Sequence, residues 1–241
     1  MALGSETSTA VRPLRHHGPH LGALAIIYTV LFNAGLYPVT LLASKTHWPG
    51  PWQPAGVIVP YFQTHADAVL TCLFLQFGAT LVLGIFTASV VSRLHFLGVR
   101  AAGPWIALFG GFLTVFNGLA ASLIVWTMIQ PSVVQTPSVL LALYYLSFAL
   151  GGPGFSVPMG LLMAGVSVPS AFMKLLPKWL VLTGMTLAVA GELSWFYLVS
   201  PKLLFLIPLV RFPGFVWLIA TGFMLPKAVT YRPFPPSEVA Q

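Results

Sequence analysis

PWIALFGGFLTVFNGLAASLIVWTMI, running from Pro104 to Ile129, carries no charged side chain and, tryptophans aside, only Thr114, Asn117, Ser122 and Thr127 as polar ones. A helix rises about 1.5 Å per residue, so about 20 such residues cross the hydrocarbon core of a bilayer. The stretch therefore predicts a transmembrane helix. Five more follow the same reading: Leu21–Ser44, Ala66–Ser92, Ser138–Ser167, Pro177–Ser200 and Leu203–Pro226. Prolines punctuate the connections, at Pro49, Pro51 and Pro54, at Pro131 and Pro137, and at Pro201. The first span is too long for the apolar core of a secretory signal and holds Asn33, Tyr37 and Pro38, so it is expected to stay as a membrane helix.

Composition agrees. The 241 residues are 57% hydrophobic and 6% charged, whereas a solvated globular surface needs roughly a quarter charged residues. Disorder is excluded by the same apolarity. The single cysteine, Cys72, excludes a disulfide framework and cysteine-ligated zinc or iron–sulfur centres. The expected fold is all-α: a polytopic membrane bundle of six helices over residues 21–227, between cytoplasmic tails at 1–20 and 228–241.

Basic residues orient the bundle. With the N-terminus inside, Arg12, Arg15, Arg93, Arg100, Lys174, Lys178, Lys227 and Arg232 fall on the inner side, and only Lys45 and Lys202 on the outer. Both termini are thus expected in the cytoplasm. Trp105 and Trp179 then mark the inner interface, and Trp48, Trp52, Tyr61, Trp126 and Tyr197 the outer one. The segment from Trp48 through Phe62 is expected to lie on the outer interface, as an anchor or as a lid over an outward-facing pocket.

Helices in lipid associate through small residues that let backbones approach. Thr80, Gly84, Ala88 and Ser92, then Gly110, Thr114, Gly118 and Ser122, then Gly184 and Ala188, recur every four residues and predict seams. The fourth span differs: Gly151-Gly152-Pro153-Gly154, followed by Pro158, predicts a broken helix. Backbone groups freed at membrane depth must face protein or a wet cavity; transporters place such breaks at substrate sites, and a kink repaired by neighbouring Ser and Thr groups is the alternative.

Three charges fall inside spans: Asp67, Glu192 and Arg211. Each costs about 2.5–3.5 kcal/mol or more at mid-bilayer, so partners are expected. Glu192 and Arg211 lie nearly equidistant from the Pro201–Lys202 hairpin, about 14 Å below it at helical rise. That predicts an interhelical ion pair, either a staple or the charged centre of a site. Arg211 also sits between Pro208 and Pro213, where disturbed backbone offers carbonyls as acceptors. Asp67 opens the second span, where its charge suits the helix N-terminus; with His65 and His47 it makes only a weak metal candidate. Asn33 and Tyr37 share a helix face, and Asn117 sits midway along the third span. With Gln76, Tyr144 and Tyr145 these residues are candidates to line one outward-opening cavity.

The chemistry that is missing narrows the field further. There is no paired intramembrane histidine for haem, no phosphate loop, no H-E-x-x-H and no G-x-S-x-G. The sixth span has no central lysine for a Schiff-base chromophore. His16, His17 and His20 are metal-binding residue types in a tail whose basic residues serve topology and contact with anionic lipid. No metal, cofactor, catalytic residue or nucleic-acid partner is expected. The expected partners are membrane lipids and a protein subunit or second copy.

Gly151-Gly152-Pro153-Gly154-Phe155-Ser156-Val157-Pro158 and Arg211-Phe212-Pro213-Gly214-Phe215-Val216-Trp217-Leu218-Ile219 resemble a bacterial six-helix membrane family of unknown function, domain of unknown function 4386. The likeness covers most of Leu21–Lys227 and implies a bacterial cell-membrane protein; no activity or site residue comes with it.

The leading functional reading is a polar pocket that binds or moves a small molecule, ion or lipid headgroup. Its expected residues are Glu192, Arg211, Asn33, Tyr37, Asn117 and Asp67, with the break at Gly151, Gly152 and Gly154. The alternative is a non-catalytic accessory or scaffold subunit. A lipid-modifying enzyme comes last, with Asp67, His65 and Glu192 as its acid–base groups and no recognisable nucleophile. No internal repeat is evident, which weighs against an inverted-repeat transporter.

Overall fold

The computed structural model describes residues 14–43 and 46–229. Expectations that rest on Arg12, Ser44, Lys45 and Arg232, or on the stretches 1–13 and 230–241, lie outside the described residues. Within them, six helical segments are long and apolar enough to cross a membrane. The chain is an all-α, multi-pass membrane protein.

In chain order the elements are strand β1 (Leu14–Arg15), α1 (Leu21–Leu36) with a 3-10 turn at Tyr37–Val39, α2 (Ala55–Thr64), α3 (Ala66–Phe96), α4 (Gly103–Met128), the single turn α5 (Pro131–Val134), α6 (Pro137–Gly151), α7 (Pro153–Met173), α8 (Lys178–Leu193), 3-10 turns at Ser194–Leu198 and Pro201–Phe205, α9 (Leu206–Met224) and strand β2 (Ala228–Val229). The His20 ring accepts from the Ala23 amide at 3.1 Å and caps α1, which ends early because Pro38 interrupts it. Asp67 lies in the first turn of α3, as expected of a helix-start carboxylate.

The bundle is a closed ring: α1 packs on α3, α3 on α4, α4 on α7, α7 on α8, α8 on α9, and α9 back on α1. The broken span is its most buried member. Of its apolar stretch 67% is buried, against 33% to 39% for the other five spans. Small residues make this possible. A Cβ on Gly165 of α7 would stand 2.8 Å from the Ala107 Cα of α4, and one on Gly191 of α8 would stand 2.9 Å from the Gly160 Cα. The predicted seam at Gly110, Thr114 and Gly118 does face neighbours, since a Cβ at Gly110 would meet Leu161 and one at Gly118 would meet Thr80. The seam on α3 runs elsewhere than expected: Thr80, Leu83 and Thr87 are buried, whereas Ala88 and Ser92 are exposed.

The two ends of the bundle differ. At one end, β1 pairs antiparallel with β2, Leu14 opposite Val229, and the His16 amide donates to Lys227 O at 2.9 Å. The His16 ring bonds Ser92 Oγ at 3.0 Å. Beside Ser92, Arg93 is not the surface residue its charge suggested; it is 2% exposed, with Nε and Nη1 lacking acceptors. At the other end, called the far end below, α2 lies across the bundle. Its Ile58, Tyr61 and Phe62 are buried with Val125, Met128 and Tyr144 in a second apolar cluster, and Trp48 stands edge-on to Phe62 at 5.0 Å. The Trp48–Phe62 segment is thus packed core on one side, while Trp52 remains 69% exposed.

Candidate functional site

The break between α6 and α7 follows from two prolines and is repaired by two side chains from other helices. Gly152 departs from helical geometry at φ −91°, ψ −102°. The Phe155 amide then bonds Gly152 O at 3.1 Å, the Ser156 amide bonds the same oxygen at 3.0 Å, and no helical donor is left for Gly151 O. Arg211 Nη2, from α9, donates to it. One turn on, Pro158 has no amide hydrogen to offer Gly154 O, and Asn117 Nδ2, from α4, donates there. An unpaired buried carbonyl costs about 1–3 kcal/mol, so both side chains hold the break in its observed form.

Among the described residues Arg211 has no carboxylate partner. Glu192 Oε1 is buried without any hydrogen-bond partner, and neither residue makes an ion pair. The expected Glu192–Arg211 pair is therefore corrected. Equal depth on adjacent helices left the azimuth open, and α7 decides it. Gly160 of α7 lies against Gly191 and the Glu192 amide, while Arg211 reaches across to the break at the start of α7. The guanidinium lies over two rings instead, 5.3 Å from the Phe32 centroid and 4.7 Å from that of Phe155. One charge-assisted hydrogen bond is worth about 1.5–3 kcal/mol and each cation–π contact about 0.5–2 kcal/mol. Together they match the insertion cost of about 2.5–3.5 kcal/mol, which explains how the arginine stays inside without a counter-charge.

Above this floor is a cavity of about 620 Å³, between α1, α3, α4, α6 and α9. Gly151, Gly152, Phe155 and Arg211 close its deep end, and Leu41, Leu42, His47 and Trp48 stand at its far end. The Tyr144 hydroxyl donates to Pro49 O at 2.6 Å and ties the Trp48 segment to α6. Cys72, 4% exposed, is in the wall.

Of the expected site residues, Arg211, Gly151 and Gly152 line the cavity, and Asn117 and Gly154 adjoin it through their shared hydrogen bond. Glu192 does not reach it. Asn33, on the outside of α1, and Tyr37, in the 3-10 turn that follows it, are exposed, with Asn33 Nδ2 bonded to its own helix at Thr29 O, 2.7 Å. Asp67 is exposed as well. These three are corrected as lining residues. The face of α1 that turns inward is Leu21, Ala25, Tyr28 and Phe32, and Asn33, one residue past Phe32, is rotated about 100° away from it at 3.6 residues per turn. That spacing was the signal for Phe32, which sequence reasoning missed. Phe155 was missed because a ring after a Gly/Pro break reads as ordinary core.

His65 is absorbed locally. Its ring stacks on Tyr61 at 4.6 Å, Nδ1 lies 2.7 Å from Thr64 Oγ1, and Nε2 lies 2.7 Å from Thr46 Oγ1. Among the described residues no three His, Cys, Asp or Glu side chains converge. No protein family, curated protein or solved structure matches the chain.

Proposed function

We propose that this chain is a cell-membrane protein that binds or moves a small molecule, ion or lipid headgroup through the Arg211-floored cavity. In this reading the far end faces outward and both termini are cytoplasmic. The inward excess of basic residues supports the orientation, and the family resemblance supports a bacterial membrane. The observation that carries the reading is a half-buried arginine, its Nε enclosed, with no counter-charge among the described residues, at the bottom of a cavity of about 620 Å³, beside a break in the fourth span. Ligand sites in the range of about 300–1,000 Å³ combine apolar walls with few polar groups in this way.

The accessory-subunit reading has its own support. Asn33 and Asp67 are polar groups on exposed helix surface, where a neighbouring helix would give them partners. The lipid-enzyme reading has less, since His65 is engaged by Thr46, Thr64 and Tyr61 and Glu192 is not beside it.

A native mass spectrum of the protein released gently from its own membrane tests the proposal. A retained small molecule or lipid, absent from correctly folded Arg211→Gln, is the expected result. A bare chain overturns the binding reading, and a second protein at fixed stoichiometry replaces it with the accessory one.

A further inference from the structure

Building on the cavity as a binding site, we infer the class of its ligand: a single-chain anionic amphiphile, its carboxylate or phosphate head on Arg211 and its alkyl chain running toward Trp48.

The head follows from the charge inventory. The chain has only four acidic residues, of which Asp67 and Glu192 are described; Asp67 is exposed, Glu192 is turned elsewhere, and among the described residues Arg211 has no ion pair. A guanidinium carries five N–H donors. One nitrogen, Nη2, is spent on Gly151 O, Nε is buried with no acceptor, and Nη1 bonds nothing in the protein. A planar fork with donors to spare recognises a carboxylate or phosphate. The Phe32 and Phe155 rings hold it in place without neutralising it.

The tail follows from the walls. Leu36, Leu73, Val125, Phe148 and Ile207 face the cavity. The wall hydroxyls are already committed to backbone carbonyls: Thr80 to Gln76 O at 2.7 Å, Ser122 to Gly118 O at 3.0 Å, Ser147 to Tyr144 O at 2.8 Å and Tyr144 to Pro49 O at 2.6 Å. A sugar or other polar body would find Gln76 and His47 as its remaining partners, His47 at the far end. An inorganic anion would satisfy Arg211 and leave the apolar walls empty. An alkyl chain fills them, at about 0.8 kcal/mol per methylene for a ligand arriving from water.

The test is equilibrium binding of radiolabelled decanoate to the full chain in nanodiscs of zwitterionic lipid, with empty nanodiscs as the blank. One saturable site is expected, displaced by decyl phosphate at similar concentration. Decanol and inorganic phosphate should each need at least ten times more. Arg211→Gln, accepted as folded by its helical circular dichroism and its elution, should weaken decanoate roughly ten- to a hundredfold, the loss of one charge-assisted hydrogen bond. Decanol binding as tightly as decanoate to the wild-type protein overturns the anionic head and leaves the binding site standing. Inorganic phosphate competing as well as decyl phosphate overturns the tail. No saturable binding by decanoate or decanol overturns both this inference and the cavity as a site for such molecules. Because the ligand series uses unmutated protein, the outcome does not depend on the folding of Arg211→Gln.

Discussion

Asn117→Ala should destabilise the protein by about 1–2 kcal/mol, a factor of roughly 5 to 30 in the folding equilibrium. The substitution removes the Nδ2 donor of Gly154 O. Intramembrane side-chain hydrogen bonds average only about 0.6 kcal/mol, and reach about 1.7, because the lost partner is commonly replaced. Here replacement is blocked: the residue one turn on is Pro158, which has no amide hydrogen. The expected cost therefore sits at the upper end. The same logic supplies a control. In a Pro158→Ala background α7 regains a helical N–H four residues after Gly154, and Asn117→Ala should then cost about 0.5 kcal/mol or less. The coupling between the two positions is about 1 kcal/mol, within reach of a double-mutant cycle. Reversible unfolding by sodium dodecyl sulfate from mild detergent micelles, followed by far-ultraviolet circular dichroism, measures it. An Asn117→Ala loss of equal size in both backgrounds would refute the idea that this side chain substitutes for the proline's missing donor.

Three further expectations follow from packing and charge. Gly165→Ala places a methyl 2.8 Å from the Ala107 Cα, a backbone atom that cannot step aside, and should cost about 1–3 kcal/mol; Gly78→Ala, with nothing within 4 Å, should gain about 0.5–1 kcal/mol. A thermal melt raised by the first or lowered by the second would contradict that prediction. Burial, aided by the Arg93 and His17 charges, holds the His16 imidazole below its ordinary value of 6.5, so the unfolded chain binds more protons just below that value. The stability of the β1–β2 clasp is then full above about pH 6.5 and declines as pH falls through the interval down to the lowered value. Hydrogen-exchange protection at Lys227–Val229, corrected for the intrinsic exchange rate at each pH, should fall over that interval in wild type and stay flat in His16→Gln. Finally, Glu192→Gln and Arg211→Gln should be additive within about 0.3–0.5 kcal/mol, since the two side chains do not touch; a double variant that recovers stability would restore the ion pair.

What was readable from the sequence and what was not divide along one line. Span number, the break and the seam on α4 depend on local order: an apolar run long enough for the bilayer, Gly-Gly-Pro-Gly, small residues every fourth position. These came through with ends shifted by a few residues, as at Tyr37–Val39, where Pro38 turns α1 into a 3-10 helix, while the α3 seam turned to another face, leaving Ala88 and Ser92 exposed. Arg211 and the break were both singled out as unusual, and their contact was not foreseen. Depth along a helix is a matter of counting at 1.5 Å per residue, so Glu192 and Arg211 were correctly placed at one level. Which way each faces depends on how all six spans are rotated, and that is set by packing among distant segments.

The sequence by itself determined that this chain crosses a membrane six times and that its fourth helix must break, because bilayer thickness and proline chemistry leave no other outcome. Only the tertiary structure decided where the charges go. It brought Phe32 from the first span, Asn117 from the third and Arg211 from the sixth to the break in the fourth, and it turned Asn33, Tyr37 and Asp67 outward and Glu192 away from the arginine. The physical reason is rotational. A helix shows every face equally to its own sequence, and the close approaches at Gly165 and Gly191 fix which face meets which neighbour.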